Sequence, residues 1–197
     1  MLAPVVIFAF NRPQSLANLL GDLDRDPLFS QSDKYIYIDG CRNAGDEEKQ
    51  KAVVDIAKDS MATVIVSDHN KGLGNSIISG VSDVIARYGK VIVLEDDLRL
   101  MQGFLAYMNQ ALDMYEPDKR IISVCGYGLK IKRPAGYEGD VYLSPRSSSW
   151  GWGTWADRWN KIDWNVSDWE QFNHDRSAIK EFNRGGSDMY GMLKVYM

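Results

Sequence analysis

An α/β fold of three layers, with helices on both faces of a doubly wound and mostly parallel sheet, is the class this 197-residue sequence predicts. Three observations predict it. Short apolar runs rich in β-branched residues alternate with segments of helical periodicity, the pattern of strands joined by helical crossovers. One run, Val91-Ile92-Val93-Leu94, is apolar throughout, as a strand buried on both faces must be. The residues able to do chemistry gather just after the strands, at the edge where open α/β sheets bind their ligands.

The elements follow in chain order. Ala3–Phe10 reads as the first strand, and Asn11-Arg12-Pro13 turns the chain into a helix with Leu16, Leu19, Leu20 and Leu23 on one face. Lys34–Asp39 is the second strand, closed by Gly40. An amphipathic helix through Val53, Ile56 and Ala57 precedes a strand at Ala62–Ser67. A long helix from Leu73 to Tyr88 repeats Leu73, Ile77, Val81, Val84, Ile85 and Tyr88 at helical spacing. The strand Lys90–Leu94 leads to Glu95-Asp96-Asp97. A helix carrying Phe104, Leu105, Met108, Leu112 and Tyr115 comes next, then a strand at Ile121–Cys125. Beyond residue 130 the pattern loosens: Val141–Ser144 reads as a short strand, with helices near Thr154–Lys161 and Asp168–Asn183. The expected organisation is one domain over 1–197, with a nucleotide-binding half at 1–130 and a less regular second-substrate half at 131–197. Residues 188–197 read as the start of an element that goes no further, as in a fragment of a longer protein.

Composition narrows the function. A chain of this size buries about 70% of its unfolded surface and needs no disulfides. The net charge of −4, with no Lys/Arg-rich block, argues against nucleic acid as a partner. Cys41 and Cys125 have no CxxC neighbour, which fits free thiols in a reducing compartment and offers no zinc site. Two histidines, His69 and His174, are too few for a His-based metal centre. The apolar Leu2–Phe10 segment lacks a basic leader and cleavage site, so it reads as a strand and not a signal peptide. No apolar run is long enough to span a bilayer, and a cytoplasmic location is expected.

The acidic triplet carries the strongest chemical signal. Three adjacent carboxylates repel one another, and beside a core strand that is costly unless a cation neutralises them. Oxygen-only ligands suit a hard divalent ion such as Mn²⁺ or Mg²⁺. The first strand ends in Phe10-Asn11-Arg12-Pro13, with neither GxGxxG nor GxxxxGK[ST], which disfavours a Rossmann dehydrogenase and a P-loop NTPase. A bound nucleotide's diphosphate would therefore meet a metal and isolated cations. Asn11 and Arg12 follow the first strand, Asp39 ends the second and Asn70-Lys71 follow the third, all on one edge of the sheet. Asp39 suits a ribose hydroxyl or a base N–H, while Arg12 or Lys71 suits a diphosphate. Taken singly, Arg12 could be a surface charge and Asp39-Gly40 an ordinary turn. Gly72 and Gly74 serve either a close ligand approach or a helix-entry turn.

All six tryptophans lie between Trp150 and Trp169. Trp155 and Trp159, four apart on the expected helix, read as packing residues. Trp150 and Trp152 flank Gly151 in an expected loop, where either packing or stacking on a sugar ring is open.

Phe10-Asn11-Arg12-Pro13, Tyr37-Ile38-Asp39-Gly40 and Leu94-Glu95-Asp96-Asp97-Leu98 resemble the donor half of nucleotide-sugar glycosyltransferases with the GT-A fold. The Glu-Asp-Asp motif followed by Phe104-Leu105-Ala106-Tyr107-Met108 is similar to that of N-acetylglucosaminyltransferase I. Ser149-Trp150-Gly151-Trp152-Gly153-Thr154-Trp155 is similar to its acceptor-side segment and to bacterial polysaccharide sugar transferases. The resemblance implies that Asp97 ligates Mn²⁺ or Mg²⁺, that Asp96 supports the metal or the donor sugar, and that Glu95 contacts the ribose. Asn11, Arg12 and Asp39 would line the base pocket, with Phe10 and Lys71 on the donor side. Trp150, Gly151 and Trp152 would meet the acceptor. Asp188 stands where related enzymes carry the catalytic base, although Ser187 or Asp188 is equally a helix cap. Asp157, Asp163 and Asp168 stay open as alternatives.

The implied activity is metal-dependent, inverting transfer from a nucleotide diphosphate sugar, UDP-linked by family habit, to a saccharide or lipid-linked glycan acceptor. The implied place is the cytoplasm, at the inner face of the membrane. Two rivals remain: a sugar-phosphate nucleotidyltransferase, which normally has a glycine-rich basic loop where this chain has Asn11-Arg12-Pro13, and a non-catalytic nucleotide-sugar or glycan-binding module.

Overall fold

The computed structural model describes residues 1–128, 132 and 135–197. They divide into two compact units: Met1–Gly128 with Ser148–Asn160, and the described residues of 129–147 with Lys161–Met197.

The first unit is a six-stranded sheet with helices on both faces. The strands are β1 (Val5–Ala9), β2 (Lys34–Ile38), β3 (Thr63–Val66), β4 (Lys90–Glu95), β5 (Val124–Cys125) and β6 (Trp152–Trp155), in the spatial order β3-β2-β1-β4-β6-β5. The pairs β1–β2, β1–β4 and β2–β3 are parallel, while β6 runs antiparallel to both β4 and β5. The connecting helices are α1 (Pro13–Leu23), α2 (Glu47–Lys58), α3 (Leu73–Tyr88), α4 (Phe104–Tyr115) and α5 (Ala156–Trp159).

Alternation along the strands divides the core. Val5, Ile7 and Ala9 of β1, with Ile92 and Leu94 of β4, join one cluster with Leu16, Leu19, Leu20 and Leu23 of α1, Val53 and Ala57 of α2, and Leu105, Met108 and Leu112 of α4. On the opposite face α3 packs so close that a Cβ on Gly80 would lie 2.8 Å from the Phe8 ring and 3.2 Å from Tyr37. The central strands β1 and β4 are buried almost throughout, whereas the edge strand β3 is only half covered.

Several expectations shift in the second half of the sequence. Ile121–Cys125 shortens to the two-residue β5. Val141–Ser144 is not a strand: no strand of the sheet pairs with it, and Leu143 is exposed. Trp152–Trp155 is the strand β6 rather than loop and helix, because Thr154 and Gly153 lie opposite Val91 and Ile92 of β4 and complete its backbone pairing. Gly153 is required there, since a Cβ would stand 2.8 Å from the Val91 carbonyl oxygen.

The second unit is helical: α6 (Trp169–His174), α7 (Arg176–Phe182) and α8 (Met189–Tyr196). The single helix expected over Asp168–Asn183 breaks at Asp175, whose carboxylate accepts from Ser177 N (2.8 Å) and Ala178 N (3.0 Å) and caps α7. An aromatic cluster of Trp169, Phe172, Phe182 and Tyr190 holds these helices.

Candidate functional site

Sheet order places the site. Leaving β1 the chain builds outward to β2 and β3, then returns through α3 to β4 on the other side of β1. The order therefore reverses between β1 and β4, and in open α/β sheets ligands bind beyond the strand ends at such a point. Phe10, Asn11 and Arg12 leave β1 there, and Asp96 and Asp97 leave β4 there, with Phe8 opposite Glu95 in the register.

The three carboxylates occupy different environments. Glu95 is half-buried, Asp96 fully buried and Asp97 about half exposed at 49% of its side chain. Backbone pairing fixes Asp96: its N–H donates to the Phe8 carbonyl (3.0 Å), and Phe10 N–H reaches Asp96 Oδ2 at a long 3.4 Å. Burial pushes the Asp96 carboxyl up, opposed by Arg12 and the Phe10 N–H. Burial also pushes Glu95 up, reinforced by Asp97. Arg12, at the N-terminus of α1, pairs with Asp96 Oδ1 and donates to Asp97 Oδ2 at 2.7 Å. Asp96 Oδ1 is buried and has no hydrogen bond of normal geometry, so ion pairing to Arg12 is its compensation.

Asp39, at the end of β2, is placed on the same edge but used differently. It is buried and accepts from Gly40 N (2.9 Å), Lys71 N (2.8 Å), Gly72 N (2.9 Å) and Asn70 Nδ2 (3.2 Å). Four donors take up the acceptor sites of a carboxylate. Asp39 thus clasps the 70–72 loop, and Gly40 lets that loop pass over it: a Cβ on Gly40 would lie 2.2 Å from the His69 carbonyl carbon. Gly72, at φ +76°, is the helix-entry turn of α3, and Lys71 is exposed beside it.

Asn11 donates to Asp46 Oδ1 (2.7 Å), a buried carboxylate that also takes the Arg42 guanidinium at 2.9 and 3.0 Å. That ion pair holds the Asp46 carboxyl well below the usual range. Arg42 also lies 4.9 Å above the Phe10 ring. The sequence reading missed Arg42 and Asp46, although both follow the end of β2 by a few residues and so belong to the same edge.

The donor set fits a divalent cation of the Mn²⁺ or Mg²⁺ kind only in part. Among the described residues no group of three or more His, Cys, Asp or Glu is arranged to hold a metal. What fits is one half-exposed carboxylate, Asp97, next to the buried Asp96, whose Oδ1 is ion-paired with Arg12. That arrangement suits a metal held by one or two carboxylates plus substrate phosphates and water, not a dedicated protein cage.

A cavity of about 330 Å³ opens just past the triplet, from Leu98 to Gly103, walled by Phe104, Tyr107, Gly126, Tyr127, Trp150 and Gly151. Trp150 is 52% exposed and meets the Tyr127 ring edge-on at 4.6 Å. Gly151, at φ +68°, turns the backbone beneath it against Phe104. Trp152 does not share this exposure: it begins β6 and stacks on Trp159 at 5.8 Å. Trp155 ends β6 rather than lying on a helix with Trp159, and it is buried with its Nε1 donating to the Leu112 carbonyl.

Asp188 lies in the second unit, before α8, and its side chain does not cap that helix. It is clamped by Arg146 at 2.7 and 3.1 Å, which holds its carboxyl below the usual range. The alternatives are also engaged: Asp157 by Lys119 and Arg158, and Asp163 by Ser167 and the Asn165 N–H. Asp168 precedes α6 without a side-chain cap.

No model of a known protein family matches this chain, and no curated protein matches it. Solved structures do. The chain is similar to the mannosyltransferase PcManGT from Pyrobaculum calidifontis, solved in complex with GDP-Man and Mn²⁺, with a TM-score of 0.52 and 12% identity. That match covers 80% of this chain and 46% of the other, so the chain spans less than half the length of that enzyme. Weaker likenesses join it to S. aureus TarS 1–349 (TM-score 0.45, 12% identity, 59% of this chain and 33% of that one) and to the bifunctional WbbM in its apo form (0.34, 14%, 51% and 20%). No membrane-crossing helix occurs among the described residues. The chain, with its mixed and mostly parallel sheet, shares the α/β fold of that mannosyltransferase.

Proposed function

We propose that this chain is the donor-binding part of a metal-dependent glycosyltransferase that takes a nucleoside diphosphate sugar. The observation supporting it is the Arg12–Asp96–Asp97 cluster at the point where the strand order reverses. A diphosphate brought there meets a guanidinium, and Asp97 holds the cation. That cation would supply Lewis-acid neutralisation of the charge that develops on the leaving diphosphate. Arg12 binds phosphate oxygens through its planar fork. Asn11 and Phe10, held by Asp46 and Arg42, border the nucleoside, and Glu95 contacts the ribose. Asp39 and Lys71 act as a pair: the carboxylate positions the loop and the ammonium meets phosphate.

The acceptor is a saccharide or a lipid-linked glycan. Exposed Trp150 and Tyr127 give a sugar ring two aromatic faces, and Gly151 permits close approach; Trp152 supports this wall from behind. Asp188 is the proposed base on the resemblance alone; it takes the proton only on release from the Arg146 clamp, which lowers its basicity, and transfer then inverts the anomeric centre. The nucleoside of the donor is uridine by family habit, while the mannosyltransferase complex with GDP-Man adds guanosine, so both belong in the test. The cytoplasmic face of a membrane is the corresponding place of work.

Melting curves with UDP and GDP, each with Mn²⁺, test the reading: one nucleotide raises the melting temperature and Asp97→Ala removes the rise. No shift with either nucleotide sinks it. Slow Mn²⁺-dependent hydrolysis of a nucleotide sugar, lost in Asp188→Asn, identifies the base. Diphosphate release from a nucleoside triphosphate and a sugar 1-phosphate would instead select the nucleotidyltransferase. Saccharide binding without any nucleotide effect would select a glycan-binding module.

A further inference from the structure

Arg12 is the cation already resident on the acidic triplet. It pairs with buried Asp96 and with half-exposed Asp97 simultaneously, and it is itself 47% exposed. The two anchors differ. Asp96 Oδ1 has no hydrogen-bond donor of normal geometry, so losing Arg12 would leave a buried carboxylate oxygen without compensation. Asp97 is wetted by solvent and tolerates losing its share. The guanidinium can therefore pivot on Asp96 while releasing Asp97.

A divalent ion reaching Asp97 meets a carboxylate already shared with Arg12 and a like charge beside it, which weakens its binding. An anion between them removes the conflict, and a nucleoside diphosphate is such an anion. Resting on the proposed donor site, we infer that Arg12 and the divalent cation compete for Asp97, so that metal binds weakly alone and loads together with the diphosphate. Arg12 then turns from Asp97 to the phosphate oxygens, keeping its hold on Asp96. By linkage, the nucleotide tightens the metal by the same factor as the metal tightens the nucleotide.

Mn²⁺ titrations followed by the electron paramagnetic resonance signal of the free ion test this without any turnover. Wild type is expected to bind Mn²⁺ weakly alone and at least tenfold more tightly with saturating UDP or GDP. Arg12→Gln is expected to bind Mn²⁺ alone about tenfold more tightly than wild type and to lose most of the nucleotide's tightening. Arg12→Lys restores the charge without the fork and is expected to return Mn²⁺ alone to weak binding, which separates competition from a folding effect. Circular dichroism melts of each variant establish that it is folded. Mn²⁺ binding to Arg12→Gln that is no tighter than to wild type overturns the inference, and if Asp97→Asn still abolishes binding the donor-site reading survives. Mn²⁺ binding that Asp97→Asn leaves intact overturns the donor-site assignment and the inference with it.

Discussion

Two aspartates leave the parallel strands that flank β1, at one edge of the sheet, and both are buried, yet they are built for different ends. Asp39 at the end of β2 receives four N–H donors from its own loop and the 70–72 loop. Asp96 at the end of β4 receives one long hydrogen bond from Phe10 and otherwise leans on the half-exposed Arg12 guanidinium. A saturated carboxylate has no capacity left for a ligand, so Asp39 organises chain. An unsaturated one next to an exposed neighbour keeps capacity for a cation, which is why the proposed donor site centres on the end of β4. Burial alone does not distinguish the two; the donor count does.

The sharpest way to break this contrast is at Asp97. Asp97→Asn is expected to lower Mn²⁺-dependent nucleoside diphosphate affinity about a hundredfold, near 2.7 kcal/mol. Its half-exposed side chain predicts a stability change within about 0.5 kcal/mol of wild type. Calorimetric titration beside a urea melt checks both, and undiminished affinity would dissolve the distinction between the two strand ends.

Asp39 should show the reverse. Asp39→Ala strands the Lys71 and Gly72 N–H groups and is expected to cost about 2–4 kcal/mol in urea unfolding. Amide hydrogen exchange should localise the loss to the 70–72 loop and the start of α3. A stable Asp39→Ala protein that has lost only nucleotide affinity would return Asp39 to the direct ligand role.

The two flanking tryptophans repeat the contrast on a smaller scale. Trp150→Ala is expected to change stability by less than about 1 kcal/mol while raising the acceptor KM. Trp152→Ala removes the stack on Trp159 and is expected to cost about 2–3 kcal/mol. Chemical denaturation separates them, and equal losses would make Trp150 another packing residue.

Much of this was legible in the sequence, for a physical reason. The central strands are apolar on both faces and the helices carry one apolar stripe each, so β1, β4, α1, α3 and α4 declare themselves by periodicity. Their order alone puts Asn11, Arg12, Asp39 and the acidic triplet on one edge. What periodicity cannot show is pairing. The strand β6 is short, contains Gly153, and exists because β4 has a free side for it. The clasp of Asp39 and the clamp of Arg146 on Asp188 depend on chain brought back from 32 and 42 residues away, which no local pattern records. Arg42 and Asp46 were within reach, since Arg-x-x-x-Asp just past a strand end pairs readily across one turn.

A third carboxylate gives the finest test of saturation as the mark of a structural aspartate. Asp22, at the end of α1, is buried and takes the Arg99 guanidinium at 2.6 and 3.0 Å together with the Leu100 N–H at 3.1 Å. These bonds tie down the segment that walls the aromatic cavity. The Arg99 hydrogen bonds lower the Asp22 carboxyl from 3.8 to about 2, against the upward push of burial. A depressed folded value means that this stabilisation is fully present above the unfolded value near 4 and drains away as pH falls toward 2. Asp22→Asn lacks it at every pH. The melting temperatures of wild type and Asp22→Asn should therefore differ by a constant amount above pH 5 and converge between about pH 4 and 2. Asp46 and Asp118 titrate alike in both proteins, so the difference between the curves isolates Asp22. A gap that stays constant down to pH 2 would mean that Asp22 carries no such linkage, and that counting donors overstates what a saturated carboxylate holds together.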